Sequence, residues 1–265
     1  MIVASILQTY SGLPWVAEFR DLWANDPYET QTSAIDILDN ILESLFLKNS
    51  RALVATTNTA ADILRNAYNK PTYVVYNGFD ECDYPDKVKL TDQFTITYTG
   101  TIIPGIRKPD SLFKAVRMLS AENKISPQNF RIRFYGPEYN SIIHQIAKKY
   151  QVQEFCDIKG PISYKESLYR QCESSILLLV ELNDQRANVS IPGKLFEYLG
   201  ANRPILCLGY DAGSIADILH ETKQGVVLND PEEIYNFLLD HFSKWGGDHS
   251  KEFKIERSSK IQQLN

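Results

Sequence analysis

The segment from Ile191 to Ile205 carries residue types that could hold a phosphorylated ligand. Gly193 and Lys194 stand where an amphipathic helix is predicted to begin, and Glu197 lies one turn further on. The first amides of a helix have no partner within the helix, and together with the helix dipole they favour an anion. Gly193 lets a ligand approach the backbone, Lys194 adds a cation, and Glu197 could accept hydrogen bonds from a ribose diol. The same spacing equally fits an exposed Lys–Glu pair worth about 0.3 kcal/mol.

The composition narrows the classes of partner and the cellular location. The 265 residues have a formal net charge of -5, whereas proteins that bind nucleic acid backbones usually have a basic excess, so we expect no nucleic acid partner. The four cysteines form no C-x-x-C pair and have no histidine at ligand spacing, which indicates a reduced cytoplasmic protein without a metal site. The longest strongly apolar run, Ile176–Val180, is too short to cross a bilayer.

Short apolar runs alternate with amphipathic segments along the chain, which predicts an α/β fold with parallel sheets flanked by helices. Sheets of this kind bind ligands at the carboxyl ends of their strands, in the loops that open the next helix. The segment 191–205 fits this rule because it follows a predicted buried strand over 175–180. Ile2–Ile6 is predicted as a first strand and Ser250–Gln263 as a last helix.

The chain is predicted to divide at a polar connector. Charged residues become dense directly after the turn pair Asn77-Gly78, as is typical of a linker between domains. The predicted divisions are 1–80 for a first domain, 81–93 for the linker, 94–247 for a second domain and 248–265 for a C-terminal helix or tail.

Three segments, in order along the chain, carry a resemblance to a known family. They are Leu13–Trp23 (LPWVAEFRDLW), Val75–Asp80 (VYNGFD) and 191–205 (IPGKLFEYLGANRPI). Together they resemble the retaining group 1, family 4-like glycosyltransferases of the GT-B architecture, and among these the bacterial polysaccharide type with Phe-Arg-Asp-x-Trp and Pro-Gly-Lys-Leu-x-Glu-Tyr-Leu segments. The resemblance implies two Rossmann-like domains. We expect the first to be incomplete, since only 14 residues precede Trp15, and to leave an exposed edge strand that a homodimer could cover.

The resemblance also implies roles for residues around the predicted helix at Gly193. Members of the family have two glutamates eight positions apart, and Glu197 matches the second, which binds the nucleotide ribose. The first falls at Val189, so the glutamate often assigned to the sugar is absent. Arg186 and its polar neighbours lie in the same loop and could contact the sugar or phosphate, or could equally form a solvated loop.

The start of the second domain is expected to hold the diphosphate. In the family a strand there ends in a glycine that is usually followed by an arginine, and this chain has Gly100 followed by Thr101. The phosphate charge would then fall to Arg107 or Lys108, together with Lys194. Gly136 follows another strand, in a loop that lies near the nucleotide in the family or is simply a turn.

Two residues of the first domain are candidates for a catalytic role. Arg20 and Asp21 match the Phe-Arg-Asp segment, which in the family faces the cleft between the domains. Asp21 could orient the acceptor hydroxyl or stabilise the reacting sugar, and Arg20 could meet phosphate. The alternative is that the two residues pair with each other and only fix the loop.

The resemblance implies an enzyme that moves a sugar from a nucleotide-diphosphate donor to a glycan or lipid-linked acceptor in surface polysaccharide biosynthesis. The donor is its substrate, and no metal or other cofactor is expected. The protein is expected in the cytoplasm, free or in peripheral contact with the inner face of the membrane. Two alternatives stay open, namely a catalytically inactive nucleotide-binding or assembly module and a GT-B nucleotide-sugar epimerase.

Overall fold

The computed structural model of the chain describes residues 1–24, 34–103, 107–136, 140–245 and 253–254. The chain divides into two units, each made of segments that are separate in sequence. The first unit contains Met1–Asn77 and Gln185–Pro192, and the second contains Gly78–Asp184 and Gly193–Asn265. The sequence had suggested that 185–192 belongs with the second domain. The predicted domain boundaries stay a prediction.

The first unit is built on a parallel sheet of three short strands, in the order β1-β2-β3. Helix α3 begins after Thr57, whose side chain accepts a hydrogen bond from the Ala60 amide and so caps the helix. β1 lies at one edge of the sheet, and Val16 on it is exposed. The elements are α1 (Ile2–Ser11), β1 (Val16–Phe19), α2 (Ala34–Leu47), β2 (Ala52–Ala55), α3 (Asn58–Tyr68) and β3 (Thr72–Val74).

The prediction of a strand at Ile2–Ile6 was wrong, because these residues belong to helix α1. Ile2, Ile6 and Tyr10 recur every four residues, which is helical spacing. The five residues Ile2–Ile6 alone are too few to distinguish this spacing from that of a strand. The helix ends at Gly12, whose amide donates to the Gln8 carbonyl over 2.8 Å.

The second unit is built on a parallel sheet of six strands, in the order β10-β9-β8-β5-β6-β7. The strands, with a separate two-stranded pair β4 and β11, are β4 (Lys87–Val88), β5 (Phe94–Thr99), β6 (Phe130–Tyr135), β7 (Cys156–Lys159), β8 (Ile176–Val180), β9 (Ile205–Leu208), β10 (Gly225–Val227) and β11 (Phe253–Lys254). The helices are α4 (Asp110–Ala121), α5 (Asn140–Lys149), α6 (Tyr164–Cys172), α7 (Gly193–Ala201), α8 (Ser214–Thr222) and α9 (Pro231–Trp245).

The strand order of this sheet reverses between β5 and β8, which lie side by side at its centre. All residues of β5 and β8 are buried, as the apolar run of β8 predicted. Chain crossovers leave this point in opposite directions, so the loops at the carboxyl ends of the two strands diverge and open a crevice. The predicted α/β fold, with parallel sheets and flanking helices, is confirmed.

The residues of the predicted linker, 81–93, group with the second unit. Tyr84 is buried, and its hydroxyl donates to the Glu197 carbonyl oxygen over 2.9 Å. The helix predicted over 250–263 lies almost wholly outside the described residues. At its two described positions that prediction was wrong, because Phe253 and Lys254 pair with β4 as an antiparallel strand.

Candidate functional site

A cavity of about 530 Å³ opens at the carboxyl ends of β5 and β6, beside the point where the strand order reverses. Four of the predicted site residues line it, namely Gly100, Gly136, Lys194 and Glu197. The other lining residues are Thr99, Tyr135, Pro161, Ile162, Tyr164 and Ser167. The structure therefore brings together residues that lie almost a hundred positions apart in the sequence.

Two glycines bring bare backbone to the wall of this cavity. Gly100 has a φ of +125°, and a Cβ built there would lie 2.8 Å from Lys194 Nζ. A Cβ on Gly136 would collide with the carbonyl oxygen of Gly100. Glycine is needed at both positions, because any side chain would strain the backbone or displace a neighbour.

Lys194 lies in the first turn of α7 and points into the protein beside the cavity. Its Nζ donates to the Tyr98 hydroxyl over 2.9 Å and lies 4.3 Å from the centroid of the Tyr98 ring. Burial lowers the pKa of Lys194 to about 8, the nearby Arg107 acts in the same direction, and Glu181 and Glu197 oppose them. A poorly hydrated cation of this kind binds an anion favourably, because little water has to be removed from it when the anion binds.

Arg107 is held in an ion pair next to Lys194. Its Nη2 lies 3.1 Å from a carboxylate oxygen of Glu181, and its Nη1 donates to the Thr101 carbonyl over 3.1 Å. Burial raises the pKa of Glu181, and Arg107 and Lys194 partly offset this. Glu181 was not recognised in the sequence, although it is the first residue after the buried strand β8, where ligand-site residues are expected.

Glu197 is half-buried and turns one carboxylate oxygen towards a buried amide. The Nε2 of Gln171 donates to Glu197 Oε2 over 2.9 Å. Gln171 was also not recognised in the sequence. The sequence offered one signal for it. Gln171 lies next to Cys172 at the end of a predicted amphipathic helix, at a position where an apolar side chain would be expected to face the core.

Gly193 and Lys108 occupy different settings. Gly193 begins α7 and is exposed, and a Cβ there would meet none of the described atoms within 4 Å. Lys108 is also exposed, but it lines a separate cavity of about 390 Å³ together with Glu181 and Asn183. The structure therefore does not bring Lys108 to the cavity that holds Lys194 and Glu197.

The remaining predicted site residues belong to the first unit. Arg20 forms an ion pair with Glu18 over 3.1 Å, in place of the suggested pair with Asp21. Asp21 accepts a hydrogen bond from Ser190 Oγ over 3.3 Å. Arg186 lies in a short helical turn, Gln185–Asn188.

Val189 lies at the position that the resemblance assigns to the first glutamate of the family. Its side chain is buried in the core of the first unit, and its carbonyl accepts from Thr57 Oγ1 over 3.0 Å. An apolar residue therefore suits this position, since an unpaired carboxylate would be costly to bury there.

The described part of the chain holds no group of three or more side chains that could together ligate a metal ion. None of the helices within the described ranges is both long and apolar enough to cross a membrane. The expectation of a metal-independent site stays a prediction.

The fold has relatives among known structures, although no protein-family model and no curated protein matches the sequence. The chain is similar to Alr3699/HepE of Anabaena in complex with UDP, with a TM-score of 0.65 and 12% identity over 92% of this chain and 66% of that one. A glycosyltransferase from Rickettsia africae gives a TM-score of 0.64 and 14% identity over 98% and 68% of the two chains. WaaG, a glycosyltransferase involved in lipopolysaccharide biosynthesis, gives 0.60 and 13% over 91% and 72%.

Two other structural neighbours are longer, and the chain spans less than two thirds of each. The chain spans 62% of the sucrose-phosphate synthase from Thermosynechococcus elongatus and 47% of TarM. The structural neighbours are glycosyltransferases of the GT-B architecture, and at identities this low the likeness concerns the fold. The chain therefore has the α/β fold of the GT-B glycosyltransferases.

Proposed function

We propose that the second unit binds the diphosphate and ribose of a nucleotide-sugar donor, and that the chain serves the transfer of that sugar to a glycan or lipid-linked acceptor in surface polysaccharide biosynthesis. One observation carries the proposal. A half-buried lysine and a half-buried glutamate, Lys194 and Glu197, meet at one cavity where the strand order reverses. This is the place and the chemistry that a nucleoside diphosphate needs in a sheet of this type.

The diphosphate is assigned to the beginning of α7. The free amides of its first turn and the ammonium of Lys194 are fixed before the ligand arrives, so they can stabilise the negative charge that develops on a departing diphosphate. Gly193 leaves open space for phosphate oxygens near the backbone, and Gly100 leaves room for the Lys194 ammonium beside the cavity. Arg107 acts indirectly, because its guanidinium is paired with Glu181 and adds positive potential next to Lys194.

The ribose is assigned to Glu197, since a carboxylate can accept hydrogen bonds from two neighbouring hydroxyls at once. Transfer with retention then depends on positioning and electrostatics, with no strong base required in this unit. UDP is the first ligand to test, because Alr3699/HepE was solved with UDP and has this fold.

A second function, nucleotide binding without sugar transfer, has one observation in its favour. Val189 stands where the family has a glutamate, and it is buried in the core of the first unit. A donor site without this carboxylate could bind the nucleotide and still leave the sugar unactivated.

A ligand panel tests the proposal. The full chain is heated with UDP, GDP, ADP, dTDP, CMP and representative nucleotide sugars, and its melting temperature is recorded. At 100-fold excess over the dissociation constant, one nucleoside diphosphate should stabilise the fold by about 2.7 kcal/mol. Glu197→Gln should remove most of this shift, whereas Glu166→Gln, outside the cavity lining, should retain it. A flat response to the whole panel would overturn the proposal.

Turnover separates the two functions. Release of free sugar or its transfer to a glycan acceptor, followed with a radiolabelled donor, supports the transferase. Tight binding of the diphosphate with no loss of donor supports the binding module.

Three further expectations accompany the proposal and stay predictions: a cytoplasmic location, contact with the inner face of the membrane, and a homodimer. Sedimentation over a wide concentration range tests the last of these. A single monomeric species throughout would exclude the dimer.

A further inference from the structure

Gln171 is a fully buried polar side chain that the proposed donor site has not yet used. It lies on α6, with 0% of its surface exposed, directly before the buried Cys172. An apolar side chain would fill this space without the cost of removing an amide from water. Its presence therefore needs an explanation in the groups that it contacts.

The side-chain hydrogen bonds of Gln171 among the described residues all involve its amide nitrogen. Nε2 lies 2.9 Å from Glu197 Oε2, 3.1 Å from Thr99 Oγ1 and 3.1 Å from Ser167 Oγ. Its Oε1 is buried and has no hydrogen-bond partner among the described groups. An ionised carboxylate only accepts hydrogen bonds, so the nitrogen must face Glu197 and the oxygen must face away. The amide is thus oriented for Glu197 at the expense of its own oxygen.

The hydrogen-bond network around Gln171 also includes the central strand β5, through Thr99. The hydroxyl of Tyr198, which is fully buried, accepts from the Thr99 amide over 3.1 Å and lies 3.3 Å from Thr99 Oγ1. Thr99 is the last residue of β5 and lines the cavity. Gln171 is therefore fixed between β5 and α7, with little freedom to change its rotamer.

We infer that Gln171 is a positioning residue that holds Glu197 Oε2 and turns the carboxylate to receive the ribose hydroxyls of the donor, which makes it a determinant of the preference for ribonucleotides over 2′-deoxyribonucleotides. This rests on the proposed function. Ser167 and Thr99 supply alternative partners for the amide, but only Glu197 reaches the ligand as a charged acceptor.

The test measures discrimination as well as affinity. Dissociation constants of the full chain are determined by calorimetry for UDP, GDP and ADP, and for the 2′-deoxy form of each. For the base that binds, the wild type should prefer the ribose form by about tenfold, the worth of one hydrogen bond to a charged group. Gln171→Met, similar in size but without an amide, should reduce this ratio to about twofold or less.

Matched variants serve as controls for the change in the ratio of ribose to deoxyribose affinity. Gln224→Met removes a half-buried amide elsewhere in the same unit, where it donates to Asn202, and should leave the ratio unchanged. In a Glu197→Gln background the ratio should already be low, and Gln171→Met should lower it no further, because both changes break one contact. Should Gln171→Met fail to fold, Gln171→Asn keeps a buried amide that is too short for Glu197, and the same loss of discrimination is expected.

Each contrary outcome is distinct. If no nucleoside diphosphate binds the wild type, the proposed function fails and this inference fails with it. If the wild type discriminates and both Gln171 variants weaken ribose and deoxyribose ligands alike, with the ratio intact, Gln171 is a packing residue and only this inference is overturned.

Discussion

Two helices of the second unit, α7 and α4, begin beside basic residues that follow strand ends, and the two beginnings differ in what surrounds the cations. At α7, Lys194 is half-buried against Tyr98 and lines a cavity with a glutamate. At α4, Arg107 is paired with Glu181, and Lys108 is exposed at another cavity. On the proposed function, the cation at α7 can hold a phosphate because it is poorly hydrated and forms no salt bridge among the described residues, whereas the charge of Arg107 is compensated by Glu181.

The largest expected effect concerns the role of Arg107 in holding the fold. Arg107→Met leaves the carboxylate of Glu181 buried without its ion-pair partner, which should lower the free energy of unfolding by about 3 kcal/mol. Urea denaturation followed by circular dichroism measures this. Adding Glu181→Leu should recover most of the loss. Equal stability of Arg107→Met and wild type would mean that the pair does not support the fold.

The next effect concerns Lys194 as a ligand-binding cation. Lys194→Met should weaken UDP, or whichever diphosphate binds, by about 30- to 100-fold, since it removes a charge-assisted contact to phosphate. Lys108→Met serves as the matched control and should change the dissociation constant less than about twofold. Calorimetric titration compares the two variants. A larger loss in Lys108→Met would reverse the roles of the two helix starts.

A third effect concerns the glycines that bring α7 and the strand ends together. Gly136→Ala should lower the free energy of unfolding by about 2 kcal/mol, because its Cβ collides with the Gly100 carbonyl. Gly160→Ala introduces the same methyl group where no described atom lies within 4 Å, and it should be tolerated. Thermal melts compare the stability of the two variants. Equal melting temperatures would refute the close contact between Gly136 and the Gly100 carbonyl.

The smallest of these effects is a pH dependence of binding. The cationic form of Lys194 attracts the diphosphate, and in the free protein it is lost as pH rises through about 8. Affinity should therefore be constant near pH 7 and fall by about tenfold at pH 9. Lys194→Arg keeps its charge over this range, so its affinity should not vary. Persistence of a tenfold decline in Lys194→Arg would assign the titration to another group.

The local features of the fold could be predicted from the sequence. The buried run of β8 and the beginning of α7 at Gly193 both follow from short-range patterns. The error at Ile2–Ile6 has the same origin, because five apolar residues fit either period.

The partners inside the site could not be predicted, because they depend on tertiary contacts. Gln171 and Glu197 are 26 positions apart, and Arg107 and Glu181 are 74 apart. Periodicity reports which face of an element is apolar, and it carries no information on which polar side chains meet across elements. Val189 shows the same limit, since only the structure reveals that it belongs to a core.

Hydrogen–deuterium exchange with and without UDP, or the diphosphate selected by the panel, shows whether the ligand binds at the beginning of α7. The amides of the first helical turn have no acceptor within the helix, so a bound diphosphate should slow their exchange. We expect protection at Gly193–Glu197 and no change at the beginning of α4, Lys108–Leu112. Protection at α4 alone, or at neither helix while the ligand is bound, would contradict this expectation.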